Sequence, residues 1–254
     1  GAAGTVLSRG VERWVAGDGA EGRRAWGVER AQGKHLFSGA PCPGDGRLIE
    51  AWANGRSLKA KKDPPTHGTG SGGAMLLRDT HESSTDPEAR LYKKATAAGA
   101  VPAYLGHVLT ENRNGLVVRA VATQASTTAE REAALAMLDS IDRTAGNITL
   151  GADKGYQHER FVEQLRARKV APHVAEYQPT PKWPNFLTEA ERSDPSFAIS
   201  QNKRKLVEKV FGWAKQDRAL RQVKLRGLKR VDWLFQIVVA AHNLRRMQKL
   251  LAAT

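Results

Sequence analysis

An ordered alternation of strand and helix patterns between residues 100 and 177 constrains the fold of this chain more than any other feature. Residues 103–110 and 116–123 are apolar runs rich in β-branched side chains, and they flank the turn-forming residues 111–115. The Asn114-Gly115 pair in that turn suits the positive φ values of a tight hairpin. This pattern predicts a β-hairpin.

The residues after the hairpin continue the alternation. Thr127 and Glu130 have the spacing of a capping box, and the apolar residues behind them predict a helix to about Ile141. Residues 147–152 predict a short buried strand, and a helix around Phe161 separates it from a strand at 170–177. A β-β-α-β-α-β order is typical of an α/β domain with a mixed sheet.

Two helices are expected to close the chain, at about residues 201–217 and 231–251. In the second, apolar residues at helical spacing predict one buried stripe. The stripe consists of Leu234, Ile237, Val238, Ala241, Leu244 and Leu251.

Positive charge is concentrated at the end of the chain. The net charge is +14, from 40 Lys and Arg against 26 Asp and Glu. Residues 200–254 hold 14 of the basic side chains and three acids, which leaves +11 there and +3 on the rest. The C-terminal fifth is therefore predicted to face a polyanion, with nucleic acid first and an anionic membrane surface second.

Several classes of protein are excluded by simple counts. The single cysteine, Cys42, rules out an internal disulfide and a Cys-rich zinc site, and it favours a reducing compartment. No apolar stretch approaches the roughly 20 residues of a membrane span, and residues 1–10 contain no secretory segment. The expected location is cytoplasmic. The first residue is not Met, so the chain is expected to be processed or a fragment.

The expected domain organisation is a poorly defined N-terminal segment followed by one large domain. Residues 1–44 show weak apolar periodicity and are interpreted as an N-terminal remnant, with Pro41 and Pro43 interrupting any strand. Residues 45–254 form the predicted domain. Within it, Gly-rich residues 59–80 predict a flexible loop, and four prolines between 179 and 195 predict a loop or insertion at 178–199.

Three acidic residues are candidates for chemistry, and each also has a plainer interpretation. Asp153 follows the apolar strand 147–152, where a carboxylate can meet a ligand, although it can equally cap a turn. Glu208 lies within about 40° of Arg204 and Lys215 on one helix face, a pattern that also suits ordinary surface ion pairs. Asp45 precedes Gly46 and fits an Asp-Gly turn. Asp86 is the alternative to Asp45.

These segments together resemble bacterial insertion-sequence transposases with a DDE nuclease, in the branch with a Tyr-Arg-Glu-Lys signature helix. Arg204, Glu208 and Lys215 match the Arg-x3-Glu-x6-Lys signature. Residues 150–156 resemble the segment of the second Asp, and residues 45–52 that of the first. Residues 85–94, 106–113 and 226–231 are also similar, so the resemblance covers about 45–58 and 80–251.

The resemblance implies a fold, an activity and a set of partners. The implied fold is a ribonuclease H-like mixed sheet flanked by helices, with a basic C-terminal helical segment. The implied reaction is DNA strand cleavage and strand transfer with two Mg²⁺ (or Mn²⁺) ions on Asp45, Asp153 and Glu208, which would be both catalytic and metal-ligating. Arg204 and Lys215 would support them. The implied partners are transposon ends, target DNA and further copies of the chain, with no membrane.

The charge distribution adds an expected set of DNA-contacting side chains. These are Lys203, Arg204, Lys205, Lys215, Lys224, Arg226, Lys229 and Arg230.

The chain also departs from the family pattern. Gln201 stands where the signature begins with Tyr, and Arg47 replaces the usual Thr beside the first acid. Residues 39–44 and 68–77 look like a decayed or frameshifted copy, so the chain is expected to be truncated or degenerate at its start. The alternative function is therefore a catalytically inactive, DNA-binding remnant, and a general structure-selective nuclease is a weaker alternative.

Overall fold

The computed structural model describes residues 22, 24, 25, 28, 29, 42–64, 66, 67, 77–93, 99–141, 148–177, 184–216 and 220–253. The strands in these ranges are β1 (Cys42–Glu50), β2 (Leu58–Ala60), β3 (His81–Ser83), β4 (Arg90–Tyr92), β5 (Val101–Thr110), β6 (Val117–Gln124), β7 (Ile148–Ala152) and β8 (Val170–Val174). The helices are α1 (Leu77–Thr80), α2 (Ala129–Asp139), α3 (Glu159–Ala167), α4 (Glu189–Ser193), α5 (Pro195–Gln216) and α6 (Leu228–Leu251).

One mixed sheet organises the described residues, as the sequence predicts. Its strand order is β4-β5-β1-β7-β8, and β6 pairs with β5. The strands β6, β5 and β1 are antiparallel neighbours, whereas β1, β7 and β8 run parallel. The strands β2 and β3 form a separate antiparallel pair. The α/β prediction is confirmed.

The β5–β6 hairpin lies where the sequence predicts it. The Glu111 carboxylate accepts hydrogen bonds from the backbone N–H groups of Arg113, Asn114 and Leu116, at 2.8, 2.5 and 3.2 Å. Gly115 adopts a φ of 71°, which a glycine reaches without steric cost. The turn is thus stabilised by one side chain and one permissive backbone position.

Helices cover both faces of the sheet. On one face α5 and α6 contribute Val210, Phe211 and Phe235 to a core with Tyr104 of β5, and the two phenylalanine rings stack at 6.1 Å. On the other face, α2 and α3 pack residues such as Leu138 and Leu165 against Leu150, Ala152 and Val170. The sheet is therefore the middle layer between two layers of helices. A ligand can reach the carboxyl ends of its strands only where the helices leave space.

The open edge of β6 is covered by polar side chains of α6. Asn243 bonds both the N–H and the C=O of Val117, at 2.8 and 2.9 Å. The Gln236 amide donates to the Ala120 carbonyl, and Asp232 accepts from the Ala122 N–H. Satisfying these groups keeps an edge strand from pairing with another chain.

The covering of β6 turns α6 away from its predicted orientation. Of the predicted stripe, Val238 is buried, but Leu244 and Leu251 are both 48% exposed. The buried face instead carries Phe235, Asn243 and Met247 among others. The stripe prediction is wrong because amides that bond a strand edge cannot be recognised by apolar periodicity.

Four other expectations differ from the structure. Strand β1 begins at Cys42 and contains Pro43, so Pro43 does not interrupt it, and Asp45 lies inside the strand instead of in an Asp-Gly turn. Helix α4 and the first turn of α5 occupy part of the predicted loop 178–199. The last two residues of β2, Lys59 and Ala60, and all of α1 lie within the predicted flexible loop 59–80. The N-terminal cap of α2 is Thr128, and no Thr127–Glu130 capping box forms.

Parts of two expectations fall outside the described residues. The N-terminal remnant at 1–44 is described only at a few positions before β1, and most of the decayed segment 68–77 is not described. None of the helices in the described part of the chain combines the length and apolar composition that crossing a membrane requires.

Candidate active site

The parallel strands β1 and β7 bring two of the predicted acids to the same place. Their backbone pairing joins Cys42 to Leu150 and Pro43 to Gly151. Two residues farther along each strand come Asp45 and Asp153. Because side chains alternate between faces with a period of two, both acids continue the face on which Pro43 and Gly151 lie.

That face of the sheet is the one covered by α5. A Cβ added to Gly151 would lie 3.3 Å from the Ser200 carbonyl oxygen, so glycine permits close approach of the helix. The Ser200 hydroxyl shares hydrogen bonds with Thr149 of β7 at 3.4 Å and with His173 of β8 at 2.7 Å. Helix α5, which carries Glu208, is therefore fixed directly over the strand that leads to Asp153.

Gln201 gives α5 a second attachment to the same strands. Its side-chain amide donates to the Ala152 carbonyl at 3.4 Å and to the His173 carbonyl. At the position where the resembling family has Tyr, this chain thus has a residue whose described contacts are with the sheet backbone. Gln201 positions the helix next to the end of β7.

Arg47 connects the first acid to the third. Its Nε donates to Asp45 Oδ2 at 2.9 Å, and its Nη2 lies 3.9 Å from Glu208 Oε1. Asp45 also accepts from the Gly46 N–H at 2.9 Å. The Asp45 side chain is 9% exposed and that of Glu208 is 51% exposed, so the pair spans from the interior to the solvent. The structure thus brings Asp45 and Glu208 to one guanidinium.

A fourth carboxylate, which the sequence interpretation assigned to a helix cap, belongs to the same neighbourhood. Glu130 in the first turn of α2 lies against Gly46, where an added Cβ would be 2.7 Å from its Cγ. Burial, followed by the charges of Asp45 and Asp153, raises the pKa of Glu130 to about 7. In the sequence, the only local feature that distinguishes Glu130 is its position, with Glu132, in the first turn of a helix.

The electrostatics show that these carboxylates share one neighbourhood. Burial raises the pKa of Asp45, Arg47 lowers it, and the charge of Asp153 raises it again. Burial also raises the pKa of Tyr156, with further increases from Glu130, Asp45 and Asp153. Like charges that raise one another's pKa values form a site that a bound cation would stabilise.

The alternative first acid, Asp86, has a different set of contacts. Its Oδ1 accepts from the Tyr104 hydroxyl at 2.8 Å and from the Gly227 N–H at 3.1 Å, just before α6. Glu88 accepts from the next N–H, that of Leu228, at 2.9 Å. Two carboxylates at a helix N-terminus are a stabilising arrangement. In β1, Ile49, not Asp45, lies opposite Tyr104.

The predicted DNA-contacting residues lie on α5, on the connection to α6 and on the first turn of α6. Lys203, Arg204 and Lys215 are partly buried on α5, and Arg204 Nε has no hydrogen-bond partner. The others are exposed: Lys205, Lys224, Arg226, Lys229 and Arg230. Arg204 and Lys215 lie on the same helix face as Glu208, so these two cations border the acidic neighbourhood.

The donor set fits a divalent cation in its chemistry. Mg²⁺ prefers oxygen ligands, and the neighbourhood offers the carboxylates of Asp45, Glu130, Asp153 and Glu208. In the described part of the chain, however, no three His, Cys, Asp or Glu side chains are arranged as a ready-made metal site. The Asp45 carboxylate is instead bonded by the Arg47 guanidinium.

Asp45 and Asp153 thus belong to two neighbouring parallel strands, and the basic residues of α5 lie beside them. A family model described as a transposase DDE domain matches residues 66–244 of this chain. The chain belongs to that transposase family, which confirms the resemblance to insertion-sequence transposases and implies a DNA substrate. The matched region contains Asp153 and Glu208 and begins after Asp45. A search of curated proteins finds no match.

Proposed function

We propose that this chain cleaves DNA strands and transfers them, with Asp45, Asp153 and Glu208 holding two Mg²⁺ ions within a ribonuclease H-like fold. The observation that supports it best is the convergence of β1, β7 and α5: Asp45 and Asp153 continue one sheet face, and Arg47 reaches from Asp45 to Glu208. The fold assignment is supported by the sheet, in which β6, β5 and β1 are antiparallel neighbours and β7 and β8 run parallel to β1, and by the helices on both of its faces.

The bound ions would supply activation of a water or 3′-hydroxyl and charge neutralisation on the departing oxygen. The chain's own residues position the substrate. Arg204 and Lys215, on the Glu208 face of α5, would contact phosphate oxygens, and the exposed Lys205, Lys224 and Arg226 would extend that contact along the backbone. Gln201 and Ser200 keep α5 against β7 and β8, which holds Glu208 in reach of β1.

Glu130 adds a proton-carrying group to this arrangement. A pKa of about 7 means that it exchanges protons readily near neutral pH. Its position against Gly46, in the same neighbourhood as Asp45, suits acceptance of a proton from an attacking hydroxyl. We propose this role for Glu130 in addition to the three acids.

A second function, DNA binding without cleavage, is favoured by Arg47. The guanidinium supplies the positive charge that the carboxylates of Asp45 and Glu208 would otherwise seek from a metal ion. A remnant of this kind would bind DNA in a salt-sensitive manner through its basic residues and leave it intact.

Nicking of supercoiled plasmid DNA with Mg²⁺ tests the proposal and separates the two functions. We expect the wild-type chain to nick the plasmid and Asp153→Ala and Glu208→Ala to lose nicking while still binding DNA. Glu163→Ala, an exposed acid on α3, is the matched control and should behave as wild type. Nicking by both site variants at the wild-type rate would refute the catalytic assignment. DNA binding without nicking by the wild type would favour the remnant.

A further inference from the structure

A cavity of about 180 Å³ lies between α5, α6 and the turn of the β5–β6 hairpin. Lys209 and Trp213 line it from α5, and His242, Arg245, Arg246 and Lys249 from α6. At about 100° per residue, Lys209 and Trp213 lie about 100° and 140° around α5 from Glu208. The cavity therefore opens on a different face of α5 from the acidic cluster.

The charge of this cavity is one-sided. Its lining contains four cationic side chains and no carboxylate. Arg246 is fixed there because its Nε donates to the Asn114 carbonyl at 2.8 Å, and Arg245 lies over the Trp213 ring at 5.9 Å from the centroid. Four cations gathered without a counter-charge favour an anionic ligand.

The cavity also offers an aromatic surface and unused hydrogen-bonding groups. The Trp213 and His242 rings lie 5.8 Å apart at an angle of 53°. The indole Nε1 of Trp213 and the Nδ1 of the buried His242 are shielded from solvent and have no hydrogen-bond partner. A buried polar group without a partner is costly, so a ligand that bonds these two groups would gain that energy on binding.

A planar ring linked to a phosphate matches the cationic lining, the aromatic surface and the unpartnered hydrogen-bonding groups of the cavity. The ring can stack on Trp213 in place of the Arg245 guanidinium. Ring nitrogens and carbonyls can bond the indole N–H and the imidazole, and the phosphate can bond the cations, Arg245 included. A paired base inside duplex DNA exposes no ring face, so the nucleotide must be unpaired. We propose that this cavity binds one unpaired nucleotide of a DNA strand, next to the duplex that the proposed active site cleaves. The inference rests on DNA being the substrate of the proposed function.

Binding of fluorescent DNA in the presence of EDTA tests this site without cleavage. The probes are a blunt duplex, the same duplex with a single-stranded overhang, and that overhang with one abasic nucleotide. Since stacking of one base is worth roughly tenfold in affinity, we expect the overhang to bind about tenfold more tightly than the blunt duplex. The abasic overhang should lose most of that gain.

The variants assign the gain to the cavity. Trp213→Ala should bind all three probes alike, and Trp213→Phe should keep most of the preference because it keeps a ring. Lys249→Gln should weaken binding of the overhang and lower its salt dependence. Lys59→Gln, which removes an exposed lysine of β2, is the matched control and should change nothing. If Trp213→Ala unfolds, Arg245→Gln tests the cavity from α6 by removing one of its cations, and it should weaken binding of the overhang.

Equal binding of overhang and blunt duplex by the wild type would overturn the inference. So would a folded Trp213→Ala that keeps the preference. Preference for an RNA overhang over the DNA overhang would reject DNA as the ligand. Failure of the cavity is distinguishable from failure of the active site. Asp153→Ala should keep the overhang preference and lose nicking, whereas Trp213→Ala should keep Mg²⁺-dependent nicking at saturating DNA.

Discussion

The two neighbouring strands β1 and β7 each supply one acid to the proposed active site, but the environments of the two acids differ. Asp45 lies within β1, is nearly buried and bonds the Arg47 guanidinium at 2.9 Å. Asp153 follows the last residue of β7, is partly exposed, and accepts from the Gly155 N–H at 2.8 Å. Among the described residues, no cation forms an ion pair with Asp153.

The difference shows what burial of a carboxylate demands. An acid inside a sheet is desolvated and requires a compensating charge or donor, whereas an acid at a strand end is still solvated. In this chain Arg47 is the compensating charge for Asp45. A metal ion can therefore bind Asp45 only by competing with Arg47, while Asp153 is accessible without such competition.

The largest expected effect separates Asp45 from Asp86 as the first acid. If Asp45 is the metal ligand, Asp45→Asn should lower the nicking rate about a hundredfold or more, because metal charge stabilisation is worth several kcal/mol. Asp86→Ala should keep the nicking rate per folded molecule and lower stability by about 1–3 kcal/mol, since Tyr104 and Gly227 lose a buried acceptor. Reversed outcomes for the two variants would identify Asp86 instead.

Gly46→Ala tests how tightly the β1 side of the site is packed. The added Cβ would meet Glu130 Cγ at 2.7 Å and His107 Nδ1 at 2.9 Å, so we expect a loss of about 1–3 kcal/mol in the free energy of unfolding. Gly212→Ala in α5 is the control, because its Cβ would meet nothing within 4 Å. That helical substitution should stabilise the protein by about 0.5–1 kcal/mol. Chemical denaturation measures both, and equal effects would contradict the packing described for β1.

Arg47→Thr should make the two strands alike. Removing the guanidinium frees Asp45 and Glu208 for a metal ion, so calorimetry should show Mn²⁺ affinity rising about tenfold, the effect of one charge pair worth about 1.4 kcal/mol. Arg56→Thr, an exposed position before β2, should leave the affinity unchanged. Weaker Mn²⁺ binding by Arg47→Thr would mean that Arg47 orients the acids and does not compete for them.

Glu130→Gln should give the smallest effect, visible in the pH dependence of stability. The folded pKa of Glu130 is raised from 4.5 to about 7, so the folded state holds a proton that the unfolded state releases. Wild-type stability should therefore fall between about pH 4.5 and 7, and Glu130→Gln should remove that decline. After allowance for solvent screening, the variant should gain about 1 kcal/mol relative to wild type between pH 5 and pH 8. An unchanged difference between these two pH values would show that Glu130 titrates normally.

The sequence predicts the β7 half of the site better than the β1 half for a physical reason. An apolar run that ends in an acid, followed by a turn and a helix, is a local pattern, and β7 with Asp153 follows it. The β1 segment combines Pro41, Pro43 and an Asp-Gly pair, which locally favour a turn. Pairing with β5 along seven residues and with β7 outweighs that local preference, and a single sequence does not display it.

Long-range contacts also explain the missed residues. The spacing of Glu130 suits a helix cap, but its environment depends on Gly46, which lies 84 residues earlier in the chain. The helical face shared by Arg204, Glu208 and Lys215 follows from periodicity alone. The ion pair of Glu208 with Arg47 and the cavity beside Trp213 depend on how α5 packs against β1 and α6.

A double-mutant cycle on metal binding tests most directly whether Asp45 and Asp153 share divalent cations. Mn²⁺ affinity would be measured by calorimetry for wild type, Asp45→Asn, Asp153→Asn and the double variant. Shared ions predict that each single substitution weakens binding at least tenfold and that the double variant is little weaker than either single one. Wild-type affinity in either single variant would show that the two acids bind no common ion.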